Sequence, residues 1–310
     1  MSGVLTGFAI IGAVIFSGYL LARKNIIGPG DARLMLNRVA FYAATPALLF
    51  SVVSQSNPEE LFSPVIGVSF LATFLSGGLF WVLSRLFFPT DLATTAMGAG
   101  AASYVNSNNI GLPVSIFVIG TGAYVAPILV IQLIFFTPLM LAALTLAGSA
   151  HGSFRTVLSS IKSAILTPIV LASLLGVLFC LMHWQLPEVI LRPCEILGGA
   201  SIPLILISFG ASLVNSTVLD HAEYRPAIFC ATVVKLLIMP TIAGILAWAV
   251  GLTGIEFYAA VVLAALPTAQ NVYNYAATYQ KGIIVARDTV FLTTFLALPV
   301  MLLIAWLYGP

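Results

Sequence analysis

Charged side chains are rare in this 310-residue chain, which has only 12 Lys and Arg, 10 Asp and Glu, and 3 His. Charged residues make up 7% of the sequence, 60% of residues are apolar, and the mean hydropathy is +1.10. This composition is typical of a polytopic membrane protein and leaves no room for a separate soluble domain. A net charge of +2 forms no basic patch, so a nucleic-acid partner is not expected.

The residue types that build most catalytic and metal sites are missing from the apolar segments. The histidines fall in or beside predicted loops, and the three cysteines are far apart, so neither a zinc site nor a disulfide framework is indicated. All acidic residues lie at the ends of apolar segments. This argues against a cation or proton exchanger, whose buried carboxylate must hold the ion. The sequence therefore predicts no enzyme, no metal and no cofactor.

Long apolar runs dominate the chain and predict ten transmembrane helices, since each span needs about 20 apolar residues. We place them at 3–22, 34–54, 62–84, 93–118, 124–147, 164–184, 194–214, 226–249, 257–279 and 289–308. The first run lacks the basic start of a cleaved signal and is interpreted as span 1. Nearly all basic residues then fall on one side and only Arg192 on the other. By the positive-inside rule the crowded side is cytoplasmic, which puts both termini outside the cell membrane.

Prolines inside the spans recur with a nearly constant offset. The offsets are 157, 161 and 154 residues for the pairs Pro46 and Pro203, Pro138 and Pro299, and Pro113 and Pro267. Three similar offsets favour a duplicated chain, although proline is also common in membrane helices. Each half has five spans, an odd number, so the halves must be inverted. The sequence thus predicts an all-α fold of two inverted five-helix repeats, 1–155 and 156–310.

Two proline-broken segments lie in corresponding halves, Asn106-Ser-Asn-Asn-Ile-Gly-Leu-Pro113 and Leu266-Pro-Thr-Ala-Gln-Asn271. Proline opens a helix and leaves backbone groups without partners, which the membrane tolerates only where they are buried or line a wet cavity. Half-helix N-termini at such breaks carry partial positive charge, so an anion or carboxylate is the expected guest. The alternative is that these amides only cap the broken ends or link helices.

The amide side chains that we expect to bind this guest are Asn106, Asn109, Gln132, Gln270 and Asn271. Lys235 in span 8 joins them, because a lysine in mid-span is costly and should face the bundle interior. There it could pair with a substrate carboxylate, hold the ends of the broken helices, or replace a coupling cation. Snorkelling to an interface is the alternative for this residue.

Four motifs in order resemble the auxin efflux carrier family of membrane transporters, across nearly all the chain. They are Arg33-Leu-Met-Leu-Asn-Arg-Val with Thr45-Pro-Ala-Leu-Leu-Phe, Asn106 with Gly111-Leu-Pro, Lys235 with Pro240, and Leu266-Pro-Thr-Ala-Gln-Asn271 with Ala277-Thr-Tyr279. The resemblance implies a scaffold with the oligomer contact in spans 1, 2, 6 and 7, and a moving transport domain in spans 3–5 and 8–10. Spans 4 and 9 would cross at Pro113 and Pro267, with Asn106 and Gln132 at the organic anion and Asn271 at the ninth-span crossover.

The chain departs from the plant members of that family in two respects. It lacks their long central loop, and 61–84 carries no acidic residue. A bacterial inner-membrane permease for small carboxylates, working by alternating access, is therefore the preferred interpretation, with a homodimer as the candidate assembly. The alternatives are a sodium-coupled symporter of the bile-acid type, a membrane ligand sensor that does not transport, and a channel.

Overall fold

A computed structural model describes residues 2–28, 31–56, 58, 63–148, 162, 166, 168–212, 214 and 218–309, and the regular secondary structure of this part of the chain is helical except for one isolated β-bridge. In chain order the α-helices are α1 (Ser2–Arg23), α2 (Asp31–Val39), α3 (Thr45–Ser54), α4 (Val65–Phe87), α5 (Leu92–Ser103), α6 (Leu112–Val114), α7 (Val125–Ile131), α8 (Thr137–Gly148), α9 (Pro168–Leu181), α10 (Glu188–Ser212), α11 (Arg225–Val233), α12 (Met239–Ala249), α13 (Gly254–Ala264), α14 (Gln270–Tyr279) and α15 (Ile283–Tyr308).

Four of these helical stretches are long and apolar enough to cross a membrane, judged by length and composition within the described residues. They are Val65–Phe87, Glu188–Ser208, Ala222–Ala249 and Ile283–Tyr308, and four shorter apolar helices accompany them. The all-helical membrane class predicted from the sequence is thus confirmed. The count of ten spans and the inverted repeat stay predictions.

Two predicted spans begin later than the helices that contain them. The helix predicted at 289–308 begins at Ile283, so Asp288 lies inside it and is fully buried, where it accepts a hydrogen bond from the Leu219 amide at 2.9 Å. The helix predicted at 194–214 begins at Glu188, because Arg192 forms ion pairs along its exposed face with Glu188 and Glu195. Charged residues mark where the apolar part of a segment ends, but the helix itself can continue beyond them.

Several helices change locally to π-helical turns before a proline. The π segments Ala40–Ala44, Ser107–Gly111, Gln132–Phe136 and Val234–Ile238 each end two residues before a proline, and a fifth, Ser115–Ile119, does not. Proline supplies no N–H and its ring crowds the carbonyl one turn earlier, so a wider turn relieves the clash. Ser107, Gln132 and Lys235 all lie in these segments, which therefore set the direction of three polar side chains.

The helices group into two compact units by contact. Unit 1 comprises 1–62, 108–127 and 166–217, and unit 2 comprises 63–107, 128–165 and 218–310. In unit 1, α1 packs on α10, and α3 packs on both α9 and α10, in each case through glycine. Thr45 Oγ1 and Ser201 Oγ form a buried hydrogen bond of 2.7 Å. The predicted division into repeats 1–155 and 156–310, like that into scaffold and transport domain, stays a prediction.

Unit 2 contains both residues of the β-bridge and most of the polar residues singled out in the sequence. Its core is apolar and includes Phe80, Met97, Tyr104, Ile228 and Val272, all nearly inaccessible. Around this core α4 packs on α5, α12 and α13, while α15 packs on α5 and α11. The core thus surrounds the ends of the interrupted helices and fixes them in place.

Candidate functional site

The two broken segments of the sequence pair through their backbones in unit 2. Val105 and Thr268 form an antiparallel β-bridge. The Asn106 amide donates to the Pro267 carbonyl at 2.9 Å, and the Ala269 amide donates to the Tyr104 carbonyl at 2.9 Å. Helix α5 ends and α14 begins at this bridge. Backbone groups that proline and the interruption leave without helical partners are therefore satisfied by the opposite segment.

Thr268 ties this bridge to two further helices. Its hydroxyl donates to the Ala101 carbonyl at 2.5 Å, near the end of α5, and its amide donates to Thr293 Oγ1 of α15 at 3.1 Å. Thr268 and Thr293 are both fully buried. A single threonine thus connects the ends of α5 and α14 with the continuous helix α15.

The preceding helix, α13, ends against Lys235. Lys235 is fully buried, and its ammonium group donates to the Ala264 carbonyl at 2.7 Å and contacts Met239 Sδ at 3.4 Å. Ala264 is the last residue of α13, where backbone carbonyls lack helical partners and carry partial negative charge. The lysine therefore neutralises the negative end of one half of the broken helix.

The other half, α14, presents its positive end at the same break. Its N-cap is Ala269, which has extended backbone and cannot cap the helix with a side chain. Gln270 and Asn271 form the first two positions of α14 and are partly exposed. Helix N-termini of this kind bind anions through free N–H groups and the aligned peptide dipoles. Of Asn274, one turn further on, only the backbone is described.

Asn106 and Gln132 are brought close to the bridge but are buried. Asn106 is 4% exposed and Gln132 is 1% exposed. Ser107 Oγ donates to Gln132 Oε1 at 2.8 Å, which orients the amide, while Gln132 Nε2 has no hydrogen-bond partner among the described residues. A buried amide donor without a partner is costly, so it marks a place where a ligand acceptor would be favourable.

A second hydrogen-bonded cluster lies where α5, α8 and α14 approach. Tyr104 Oη is 3.0 Å from Thr137 Oγ1, and Thr137 Oγ1 is 3.4 Å from Tyr275 Oη. The carbonyl of the same Tyr104 belongs to the bridge. The same tyrosine therefore links the bridge to the packing of α8 and α14.

The structure brings together Asn106, Gln132, Lys235, Gln270 and Asn271 within unit 2, in contact with the bridge or the helix ends that adjoin it. Asn109 lies in the π segment Ser107–Gly111 and its side chain is outside the described residues. Pro113 lies in α6 of unit 1, and Pro267 is in the bridge. The predicted crossing at these two prolines stays a prediction.

Sequence reasoning missed Thr268, Thr293 and the tyrosine pair as part of this arrangement. Thr268 had a usable signal, because it follows Pro267 directly in the broken segment. Thr293, Tyr104 and Tyr275 had none, since a threonine or tyrosine in an apolar helix is common. Among the described residues no three His, Cys, Asp or Glu side chains gather as metal ligands.

An apolar helical fold with polar groups buried at interrupted helices defines a membrane transporter. The sequence model of the family described as "Membrane transport protein" matches residues 4–305, so the chain belongs to this family, the auxin efflux carrier family indicated by its motifs. Its members are transporters and not enzymes. The protein is accordingly a multi-pass membrane transporter.

Three relatives show the range of this family. A protein of Methanothermobacter thermautotrophicus named "Uncharacterized transporter" is 29% identical over 291 residues, covering 92% of both chains. A "Putative malonate transporter" of Rhizobium meliloti is 28% identical over 292 residues, covering 92% of this chain and 89% of the relative. "Auxin efflux carrier component 8" of Arabidopsis thaliana is 21% identical over 337 residues, covering 92% of both. The similarity extends along most of the length of each protein.

Proposed function

We propose that this protein is a secondary transporter that moves a small organic anion, a carboxylate, by alternating access at the paired helix breaks. The observation that carries the proposal is the uncapped N-terminus of α14, which begins at the bridge beside Gln270 and Asn271. In this proposal the breaks belong to two inverted five-helix repeats that cross at Pro113 and Pro267. The protein lies in the cell membrane with both termini outside.

The charge balance at the break favours an anion. The positive end of α14 is equivalent to roughly half an elementary charge. The matching negative end at Ala264 is neutralised by the Lys235 ammonium group. The break as a whole therefore carries excess positive charge, with no buried carboxylate among the residues that form it. The negative charge of a carboxylate substrate would neutralise this excess.

The amides supply the hydrogen bonds in this proposal. Gln270 and Asn271, partly exposed, make the first contacts, and Gln132 Nε2 donates the bond for which it has no protein partner. Asn106 and Asn109 complete the set from the fourth span. Lys235 acts by holding the end of α13, the second of the three roles considered for it. The relative whose name includes malonate supports a small carboxylate as the substrate.

The burial of the two amide side chains Asn106 and Gln132 supports a mechanism of alternating access. Asn106 and Gln132 are 4% and 1% exposed, so a substrate cannot reach both without movement of the surrounding helices. The β-bridge has only two backbone hydrogen bonds and can rearrange more readily than a helix. We infer that spans 3–5 and 8–10 move against a scaffold of spans 1, 2, 6 and 7, through which two copies pair.

Thermal unfolding of detergent-purified protein with mono- and dicarboxylates, their neutral amides and indole acids tests this proposal. A ligand at 100 times its Kd stabilises the folded state by about 2.7 kcal/mol. We expect a carboxylate to raise the Tm of the wild type and of Gln185→Ala, an exposed amide control, but not of Asn106→Ala. Stabilisation by a neutral or cationic compound instead would overturn the anion assignment.

Counterflow of the same labelled carboxylate in liposomes then separates transport from sensing. A transporter exchanges external label for internal unlabelled substrate, whereas a sensor binds it without exchange. We expect saturable counterflow that does not require sodium. Dependence on sodium would favour the symporter of bile-acid type, and flux that does not saturate would favour a channel.

A further inference from the structure

A groove of about 460 Å³ lies within unit 2 between α4, α5 and α8. Its volume falls in the range of ligand-binding cavities, roughly 300–1,000 Å³. Gly77, Gly78 and Ala99 leave the groove open, and the rings of Phe74 and Trp81 also line it. A groove lined in this way can bind an apolar ligand.

The side-chain hydroxyl groups along the groove are already engaged by the protein. Thr73 Oγ1 donates to the Ser69 carbonyl at 2.8 Å, and Ser103 Oγ donates to the Ala99 carbonyl at 2.8 Å. Tyr104 Oη pairs with Thr137 Oγ1. Among the described residues, no charged side chain lines the groove. A small carboxylate would find no free hydroxyl and no positive charge in the groove itself, so the ligand is expected to be hydrocarbon.

The length of the groove corresponds to one leaflet of a bilayer. Along α4 it extends from Thr73 to Trp81, which at 1.5 Å per residue is about 12 Å, and Arg85 follows at about 18 Å. Half of the hydrocarbon core is about 15 Å thick. The midpoint of the 23-residue helix Val65–Phe87 is Ser76, and along α5 the groove extends from Leu92, the first residue, to Tyr104 at the bridge. The groove therefore extends from near the membrane centre to one surface, as an acyl chain does.

A positive charge lies at the surface end of this groove. The guanidinium carbon of Arg85 is 5.8 Å from the centre of the Trp81 ring, and Arg85 is exposed. No described carboxylate forms an ion pair with Arg85. The Asp91 carboxylate instead accepts hydrogen bonds from the Ala93 and Thr94 amides at the start of α5. Arginine at a membrane surface matches the geometry of a phosphate group.

We propose that this groove binds one acyl chain of a glycerophospholipid whose phosphate contacts Arg85. The apolar length and the charge at its end together match an amphiphile and not a free anion or a protein segment. The lipid packs on Tyr104, whose carbonyl accepts the Ala269 amide in the bridge. The bound lipid thereby supports the paired form of the break, independently of which substrate the protein carries.

Quenching of Trp81 fluorescence by phospholipid brominated near its headgroup tests this site. Trp184, Trp248 and Trp306 are 54%, 77% and 64% exposed, so replacing them with Phe leaves Trp81 as the only tryptophan at little cost in packing. This protein is reconstituted into phosphatidylcholine vesicles with increasing fractions of brominated phosphatidylglycerol. A specific site gives saturable quenching at a low fraction of the brominated lipid.

Two glycines of α4 provide a matched pair of variants. A Cβ added at Gly78, in the groove, or at Gly67, outside it, meets no heavy atom within 4 Å. We expect Gly78→Leu to fill the groove and shift half-maximal quenching to a several-fold higher lipid fraction. Gly67→Leu should behave as the parent, and Arg85→Gln should remove the preference for phosphatidylglycerol over brominated phosphatidylcholine.

Coincident quenching curves for Gly78→Leu, Gly67→Leu and the parent would show only bulk lipid around Trp81 and would overturn the proposal. Relief of quenching by a transported carboxylate would also overturn it, because the groove would then be a substrate path. Phosphatidylglycerol retained through detergent exchange provides a second measurement on the protein with all four tryptophans. Retention should fall in Gly78→Leu and persist in Gly67→Leu; equal retention would contradict the site.

Discussion

The ammonium group of Lys235 lies 2.7 Å from the carbonyl oxygen of Ala264 and holds the C-terminal end of α13. The contact places the only fully buried lysine among the described residues at the negative pole of a broken helix. It leaves the positive pole, at the start of α14, for a ligand. In the proposed function the two ends of one interruption thus have different partners, a lysine of the protein and a bound anion.

Removing the ammonium group should destabilise the protein more than it weakens substrate binding. Lys235→Met keeps the unbranched stem but leaves the Ala264 carbonyl without its donor. We expect the free energy of unfolding to fall by about 1–3 kcal/mol, the typical cost of an unsatisfied buried group. Thermal unfolding in detergent measures this change. A carboxylate that stabilises the wild type should still stabilise the variant.

Lys24→Gln serves as the control for this experiment, because Lys24 is exposed after α1 and its replacement should change stability by less than about 0.5 kcal/mol. The opposite result for Lys235→Met, with stability unaltered and carboxylate stabilisation lost, would make Lys235 a direct substrate ligand.

Thr268→Val should weaken the bridge while preserving shape. The variant lacks the hydroxyl that donates to the Ala101 carbonyl, and both residues are fully buried. We expect a loss of about 1–2 kcal/mol in the free energy of unfolding, since the carbonyl loses its side-chain donor. The Tm and the initial rate of uptake should both decrease, and Thr268→Ser should restore both.

Thr241→Val removes a similar hydroxyl, which donates to the Leu237 carbonyl at 2.7 Å on an exposed turn. It should leave stability within about 0.5 kcal/mol of the wild type. Equal losses in the Thr241 and Thr268 variants would mean that the bridge has no special role.

Asn271 offers a substitution that separates helix stability from anion binding. Asn271→Ala should abolish uptake at normal expression, as should Asn106→Ala. Asn271→Asp places a negative charge in the first turn of α14, which should stabilise the helix by roughly 0.3–1 kcal/mol and repel an anion. We therefore expect an unaltered or higher Tm together with loss of carboxylate binding. Normal transport by Asn106→Ala and Asn271→Ala would remove this site from consideration.

Substituting alanine for two neighbouring glycines of α10 should change the stability of the protein in opposite directions. A Cβ at Gly198 would lie 2.8 Å from Leu48 Cα of α3, whereas one at Gly199 meets no heavy atom within 4 Å. Gly198→Ala should cost about 1–3 kcal/mol through overpacking. Gly199→Ala should raise stability by up to about 1 kcal/mol, because alanine is the better helix former. The sign of the Tm change for each variant measures this, and the same sign for both would contradict the packing of α3 on α10.

The break beside Pro267 was predictable because proline acts locally. The first break lies at Tyr104–Asn106, ahead of Pro113, since the chain is helical on both sides of that proline from Ser107 to Ile119. The partners across the break were not predictable, since Asn106 meets Pro267, and Thr268 meets Ala101, across more than 150 residues. No local rule selects a carbonyl at that separation.

The amino-acid sequence by itself determined the membrane class, the family and the segments that cannot be continuous helices. These properties depend on hydrophobicity and on backbone chemistry, which act residue by residue. Only the tertiary structure decided that Lys235 holds Ala264, that Gln132 keeps a donor without a partner among the described residues, and that no side chain caps the start of α14. Those properties depend on which buried polar groups meet, and the cost of leaving such groups unpaired selects one arrangement among many.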